Sequence, residues 1–346
     1  MKKVIATCLS ATLALMMAAG CGNSNTGTST SGADTSTSTS TSTAEAKTWK
    51  LATDMTATDP VTMGLEKISE ELAATCDTLA IDVYPDGQLG QEIDTVEGVK
   101  IGTLEMAKVN SANMTGYVPQ LNAYSLPYIV KDFDTAWRAL EGDAGDFIKA
   151  ETEKLGFKVV CFLEEGSRYI FLKDHFVEEA DDLQGMKIRT MNSTAQQDGF
   201  KALGCSPTPM SFGEVYTAIQ QGVVDGAENS IGNIYTYKMY EVAPYITDTA
   251  HMRSPQLVIT STKLFDSLTA DEQTALLDAG EAASQWERNY ANEQQSEFEK
   301  KIIEAGGQIQ DLPEETRQAF IEILTPLYDQ YKAENGAELV DAILNA

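Results

Sequence analysis

Two arginines in an otherwise acidic chain are the residues best suited to chemistry. Arg189 closes the run Leu183-Gln184-Gly185-Met186-Lys187-Ile188-Arg189, whose last three residues read as a strand, and polar Thr190-Met191-Asn192-Ser193 follows. A guanidinium there sits at the mouth of a parallel sheet, where small anions bind in open α/β folds. Arg168, in Glu165-Gly166-Ser167-Arg168-Tyr169, begins a second strand. Arginine is the side chain shaped for bidentate carboxylate recognition, so the chemistry on offer is anion capture. Taken singly, each arginine fits a surface ion pair equally well.

Other chemistries find less support. No GxSxG, HExxH, GxGxxG or Walker A pattern occurs. The two histidines, His175 and His251, rule out a multi-histidine metal site, and five cysteines without a CxxC rule out a zinc ribbon, so no metal or cofactor is expected. An acid pair for glycoside hydrolysis stays open, but among 52 Asp and Glu any apparent pair is most simply surface charge. Against 25 Lys and Arg, those acids give a net charge of -27, which argues against nucleic-acid binding.

The elements that must hold the arginines alternate. Strands are expected at 48–52, 79–84, 106–109, 159–163, 169–172 and 187–189, the second ended by Pro85-Asp86-Gly87. Helices are expected from Pro60, through Val61, Leu65, Ile68 and Leu72, and over 92–101. The pattern predicts an α/β fold with largely parallel sheets. Thr269-Ala270-Asp271-Glu272 is a capping box, and 270–305 contains no proline and only Gly280. An unbroken helix there would be about 54 Å long and cross two domains; the alternative is two helices broken near Gly280.

The N-terminus reads as an address and a tether. Lys2 and Lys3 precede an uncharged apolar run, Val4 to Ala19, too short to span a membrane. Ala18-Ala19-Gly20-Cys21 resembles the bacterial lipobox, which implies cleavage after residue 20 and lipidation of Cys21. The following Ser/Thr/Gly-rich residues, to 46, lack large apolar side chains and should form a leash spanning about 25–30 Å. The remaining cysteines, Cys76, Cys161 and Cys205, sit among apolar or small neighbours and read as unpaired thiols.

From about Trp49 onward the chain resembles the solute-binding proteins of TRAP transporters (DctP-like). The resemblance rests on Asp181 to Arg189, Lys201-Ala202-Leu203-Gly204, Pro207-Thr208-Pro209-Met210, and Glu214 through Asn229. Tyr84-Pro85-Asp86-Gly87-Gln88-Leu89-Gly90, Gly102 to Ala107 and Leu126-Pro127-Tyr128 add to it. It implies a two-lobed α/β fold of the periplasmic-binding-protein type (class II), with a long helix bracing both lobes. The implied division is 1–20 signal peptide, 21–46 lipidated cysteine and linker, 47–165 with 255–294 as lobe I, and 166–254 with 295–346 as lobe II. It also implies roles: Arg189 as the carboxylate clamp, Arg168 as a second anion contact, Asn229 as an amide on the same carboxylate, and Phe212 as an aromatic against the ligand. Asp54, Glu92 and Asn110 fall where the family places polar contacts from lobe I.

A ligand with a carboxylate at one end and hydroxyls at the other suits donors in one lobe and a carboxylate acceptor in the other, which describes a sugar acid. The segment Tyr240 to Tyr245, followed by His251 to Pro255, resembles members associated with hexuronates. A C4-dicarboxylate is the alternative within the family and needs a second cation in lobe I. The nearby cations there, Lys108 and Lys131, read as surface or packing groups. The implied function is capture outside the cytoplasm without catalysis, by a lipid-anchored monomer that delivers its ligand to a membrane permease. A surface carbohydrate-active enzyme and an adhesive lipoprotein are the alternatives of other classes.

Overall fold

A computed structural model describes residues 46–346; the leader, the lipobox with Cys21 and most of the tether lie outside them. Eleven strands form two sheets. They are β1 (Lys47–Ala52), β2 (Leu79–Tyr84), β3 (Met106–Asn110), β4 (Phe157–Glu164), β5 (Arg168–Leu172), β6 (Lys187–Thr190), β7 (Ser206–Pro209), β8 (Gly226–Ser230), β9 (Tyr245–Asp248), β10 (Pro255–Ser261) and β11 (Gln308–Asp311). The first sheet runs β2-β1-β3-β10-β4 and the second β11-β9-β5-β8-β6-β7.

Each sheet buries both faces. In the first, Leu51 and Trp49 pack with Leu65, Ile68 and Leu72 of the helix Pro60–Thr75, while Ala52, Val109 and Leu257 join a second cluster on the opposite face. Apolar strands between helices follow from such two-sided burial.

The sheets are mixed rather than largely parallel. β10 runs antiparallel to β3 and β4, and β5 runs antiparallel to β8 and β9. The reason is the chain path. β5 enters the second sheet directly from β4, and β10 enters the first directly from β9, so each inserts against the local direction. The two crossing segments are bonded together, Arg168 N donating to Met252 O at 3.2 Å.

The long helix is continuous from Ala270 to Glu304. Its start has the expected box: Thr269 Oγ1 accepts from Glu272 N at 3.2 Å, and Glu272 Oε2 accepts from Thr269 N at 2.8 Å. Gly280 does not break it. A Cβ there would stand 2.9 Å from Val160 Cγ1 and 3.2 Å from Cys161 Cβ, so the glycine lets the helix lie close on β4. Leu276, Ala279 and Ala283 pack in the first lobe and Phe298 and Ile302 in the second. In between, Glu287 is fully buried; its Oε2 accepts from Glu164 N at 3.1 Å and its Oε1 has no partner.

The C-terminal segment divides. Leu312, Phe320 and Leu324 pack in the second lobe. Residues 338–344, expected with them, instead bury Leu339, Val340 and Ile343 against Trp137, Leu140 and Ile148 of the first. An apolar stripe demands a partner face but does not say which one. Cys161 and Cys205 are buried, Cys76 is half-buried, and all three are unpaired. No described helix is long and apolar enough to cross a membrane.

Candidate functional site

A cavity, open in part to solvent, lies where the strands of the two sheets end toward each other. All seven residues expected at a ligand site line it: Asp54, Glu92 and Asn110 from one lobe, and Arg168, Arg189, Phe212 and Asn229 from the other. β1 delivers Asp54, β3 ends in Asn110, and Glu92 opens the helix Glu92–Ile101. Arg168 begins β5, Arg189 lies near the end of β6, and Asn229 lies on β8 in register with Tyr169. Phe212 follows β7 in a short 3-10 turn.

The two arginines differ in what they hold. Arg168 is spent within the protein. Its Nε and Nη2 form a fork on the Glu228 carboxylate, and Nη1 donates to Glu165 Oε2 at 2.8 Å. Burial alone would raise the Glu228 carboxyl, but Arg168 and His251 outweigh it and hold the group well below its ordinary range. Arg189 has no carboxylate partner among the described residues. Its Nε and Nη2 both donate to Met210 O, at 3.0 and 2.7 Å, and the guanidinium carbon lies 5.5 Å from the centre of the Phe212 ring. Burial, with Arg168 adding repulsion, pulls Arg189 down to about 10, so it stays charged at neutral pH. It is a buried, fixed cation with no carboxylate of its own.

Beside it Asn229 is set as a donor. Its Oδ1 accepts from Ser230 N at 2.8 Å and Asn233 Nδ2 at 3.0 Å, which leaves its own Nδ2 without a protein partner. Across the cavity Asn110 repeats the arrangement. Its Oδ1 accepts from Ala112 N at 2.9 Å, and its buried Nδ2 has no partner. Buried amides without partners mark places where something else completes the bonding.

The first lobe also holds a cation. Lys108 is not a surface group: it is fully buried, donating to Asp54 Oδ1 at 2.7 Å and to Glu92 Oε1. Burial opposes its charge, yet the two carboxylates hold its ammonium above the ordinary value. Glu92 is pushed up by burial and drawn back by Lys108, and it also accepts from Asn110 N at 3.2 Å and Asn113 Nδ2 at 2.6 Å. Lys131 is exposed. Met55, Asn113, Glu165 and Met191 complete the lining and were not anticipated. The spacing Asn110-x-x-Asn113, two amides on one turn, was a usable signal; so was Glu165 three residues before Arg168.

Hydrogen bonds span the gap between the lobes. Tyr237 OH donates to Asp54 O, Gly213 N donates to Gln91 Oε1 at 3.3 Å, and Asn192 N donates to Asn113 Oδ1 at 3.4 Å. The lobes are therefore closed on each other. No group of three His, Cys, Asp or Glu suited to a metal occurs among the described residues.

Two α/β lobes joined by crossing segments, closed over a buried cation and unpartnered amides, define a receptor for a small anionic solute. Residues 51–335 match the family described as bacterial extracellular solute-binding protein, family 7 (DctP), and the chain belongs to that family. It is 31% identical, over 86% of its own length and 92% of the relative's, to the 2,3-diketo-L-gulonate-binding periplasmic protein of Escherichia coli. It is 32% identical, over 79% and 83%, to the C4-dicarboxylate-binding periplasmic protein of Rhodobacter capsulatus. Its fold superposes with a TM-score of 0.82 and 29% identity on a TRAP periplasmic solute-binding protein from Sulfitobacter with bound β-D-galacturonate, covering 87% of this chain and all of that one.

Proposed function

We propose that this protein captures a sugar acid, favouring hexuronates, and delivers it unchanged to a TRAP permease while anchored to the membrane through a lipid on Cys21. The observation that carries the reading is Arg189, a buried cation on the cavity wall whose only hydrogen-bond partner is a backbone carbonyl. At about 4 Å and an effective dielectric near 20, one ion pair with Arg189 supplies roughly 4 kcal/mol before desolvation is subtracted. Arg189 and the open Nδ2 of Asn229 take the carboxylate. Asp54 and Glu92 accept from ligand hydroxyls, and Asn110 Nδ2 donates to one. Arg168 contributes field and position more than a direct clamp, because its fork already holds Glu228 and Glu165.

A C4-dicarboxylate fits less well. Its second carboxylate would meet Asp54 and Glu92, and Lys108 is already shared between those two acids. Capture without turnover is the reading that membership of a solute-binding family supports. The test is a thermal-shift and calorimetric screen of D-galacturonate, D-glucuronate, D-galactonate and succinate. The sugar acids should stabilise the protein and be recovered intact by mass spectrometry. Tightest binding to succinate, or release of an altered ligand, would overturn the assignment.

A further inference from the structure

One charged lining residue is left without a role by this reading. Glu165 stands in the crossing segment between β4 and β5, with its side chain 4% exposed. Its Oε2 accepts from Arg168 Nη1, and its Oε1 accepts nothing among the described residues. It lines the ligand cavity and also a second cavity, open in part to solvent, beside the crossing segments.

The charges around it do not balance. Lys108, Arg168 and Arg189, with the His251 ring 3.6 Å from Glu228, face four carboxylates: Asp54, Glu92, Glu165 and Glu228. Asp59 and Glu287 stand close enough to add repulsion. A ligand carboxylate brings one more negative charge into a closed, mostly buried space, and uncompensated buried charge is resolved by protonation. Glu228 is fixed by the Arg168 fork. Glu92 holds three donors and Asp54 shares Lys108. Of the four, Glu165 keeps an oxygen free, shares its one donor with Glu228 and alone lines both cavities, so it is the carboxylate placed both to meet the ligand and to take a proton.

We propose, resting on the sugar-acid reading, that Glu165 is a further ligand contact that enters the closed complex as a carboxylic acid, so that capture takes up a proton. The Glu165 carboxylate gains a proton from solvent through the second cavity, and the new O–H donates to the ligand carboxylate. Burial, followed by Glu92 and Asp54, already raises this carboxyl against the pull of Arg168 and Lys108.

Calorimetry with D-galacturonate, and with D-glucuronate and D-galactonate in parallel, tests this in buffers of different ionisation enthalpy between pH 6 and 9. Expected is net uptake approaching one proton at the alkaline end, with Kd weakening by up to about tenfold per pH unit there. Glu165→Gln should bind with a Kd independent of pH, and more tightly than wild type at pH 8.5. Asp59→Asn should retain the uptake. Zero uptake by the wild type across the range, or uptake persisting in Glu165→Gln, overturns the proposal with ligand binding intact. If Glu165→Gln does not fold, the wild-type measurement alone decides. A flat isotherm with all three acids would instead remove the sugar-acid reading, and this one with it.

Discussion

Truncating each arginine separates the one that binds from the one that holds the lobe together. Arg189→Ala removes a cation whose protein partners are one backbone carbonyl and the face of Phe212. With ligand bound, the pair is worth roughly 4 kcal/mol at 4 Å before desolvation. Losing one member of a buried, hydrogen-bonded pair costs about 2–4 kcal/mol in binding, or about 30- to 1,000-fold in Kd. Ligand-free stability should fall by less than in Arg168→Ala, because Arg189 has no carboxylate partner of its own to strand. Arg168→Ala should act on folding instead. It strands Glu228 and Glu165 and should cost about 3–5 kcal/mol of folding stability whether ligand is present or not. Calorimetric titration with D-galacturonate, paired with urea unfolding of both ligand-free variants, reads the two effects separately. A change below about threefold in the Arg189→Ala Kd, or equal unfolding losses in both variants, would refute the division of labour.

Tyr237→Phe removes the hydroxyl that reaches Asp54 O across the gap; it should cost about 0.5–1.5 kcal/mol of closure, weakening Kd two- to tenfold, with a larger radius of gyration in solution scattering. Gly280→Leu should overpack the contact with β4 and lower urea stability by about 1–3 kcal/mol, and no loss would mean the long helix does not press on Val160. Glu287 carries a carboxyl that burial holds well above 4.5. Its folded-state value exceeds its unfolded one, so its contribution is present at acid pH and is lost as pH rises from about 4.5. Glu287→Gln should therefore gain stability relative to wild type at pH 8 compared with pH 5, measured by urea unfolding at both.

The local grammar of the chain was readable. Alternating Leu79, Ile81 and Val83 followed by Pro85-Asp86-Gly87 marks a strand and its stop, and Asp86 and Gly87 take the positive φ angles such a stop uses. Thr269 and Glu272 mark where the long helix begins. The arginines could be singled out because cations are scarce. The resemblance, more than spacing, placed Asp54, Glu92 and Asn110, since their side chains converge only when β1, β3 and the helix after β2 are assembled. Lys108 shows what was hidden. A lone lysine inside Met106-Ala107-Lys108-Val109 reads as an edge or surface residue until its partners, 54 and 16 residues away, close on it. The mixed sheets were hidden for the same reason, because strand direction is set by which lobe the chain has just left.

Arg189, Asn229 and Phe212 all belong to the same half of the molecule, and Arg168 is pinned at the pivot by its bond to Met252. On the proposed function, the anchor for the acidic end of a solute therefore lies wholly within one half. That reading predicts an order of arrival, in which the charged end docks on the seat before the opposite wall swings in over the hydroxyl end. It predicts too that substitutions in the seat cost affinity for every acid, while substitutions in the wall change the preference among acids of equal charge.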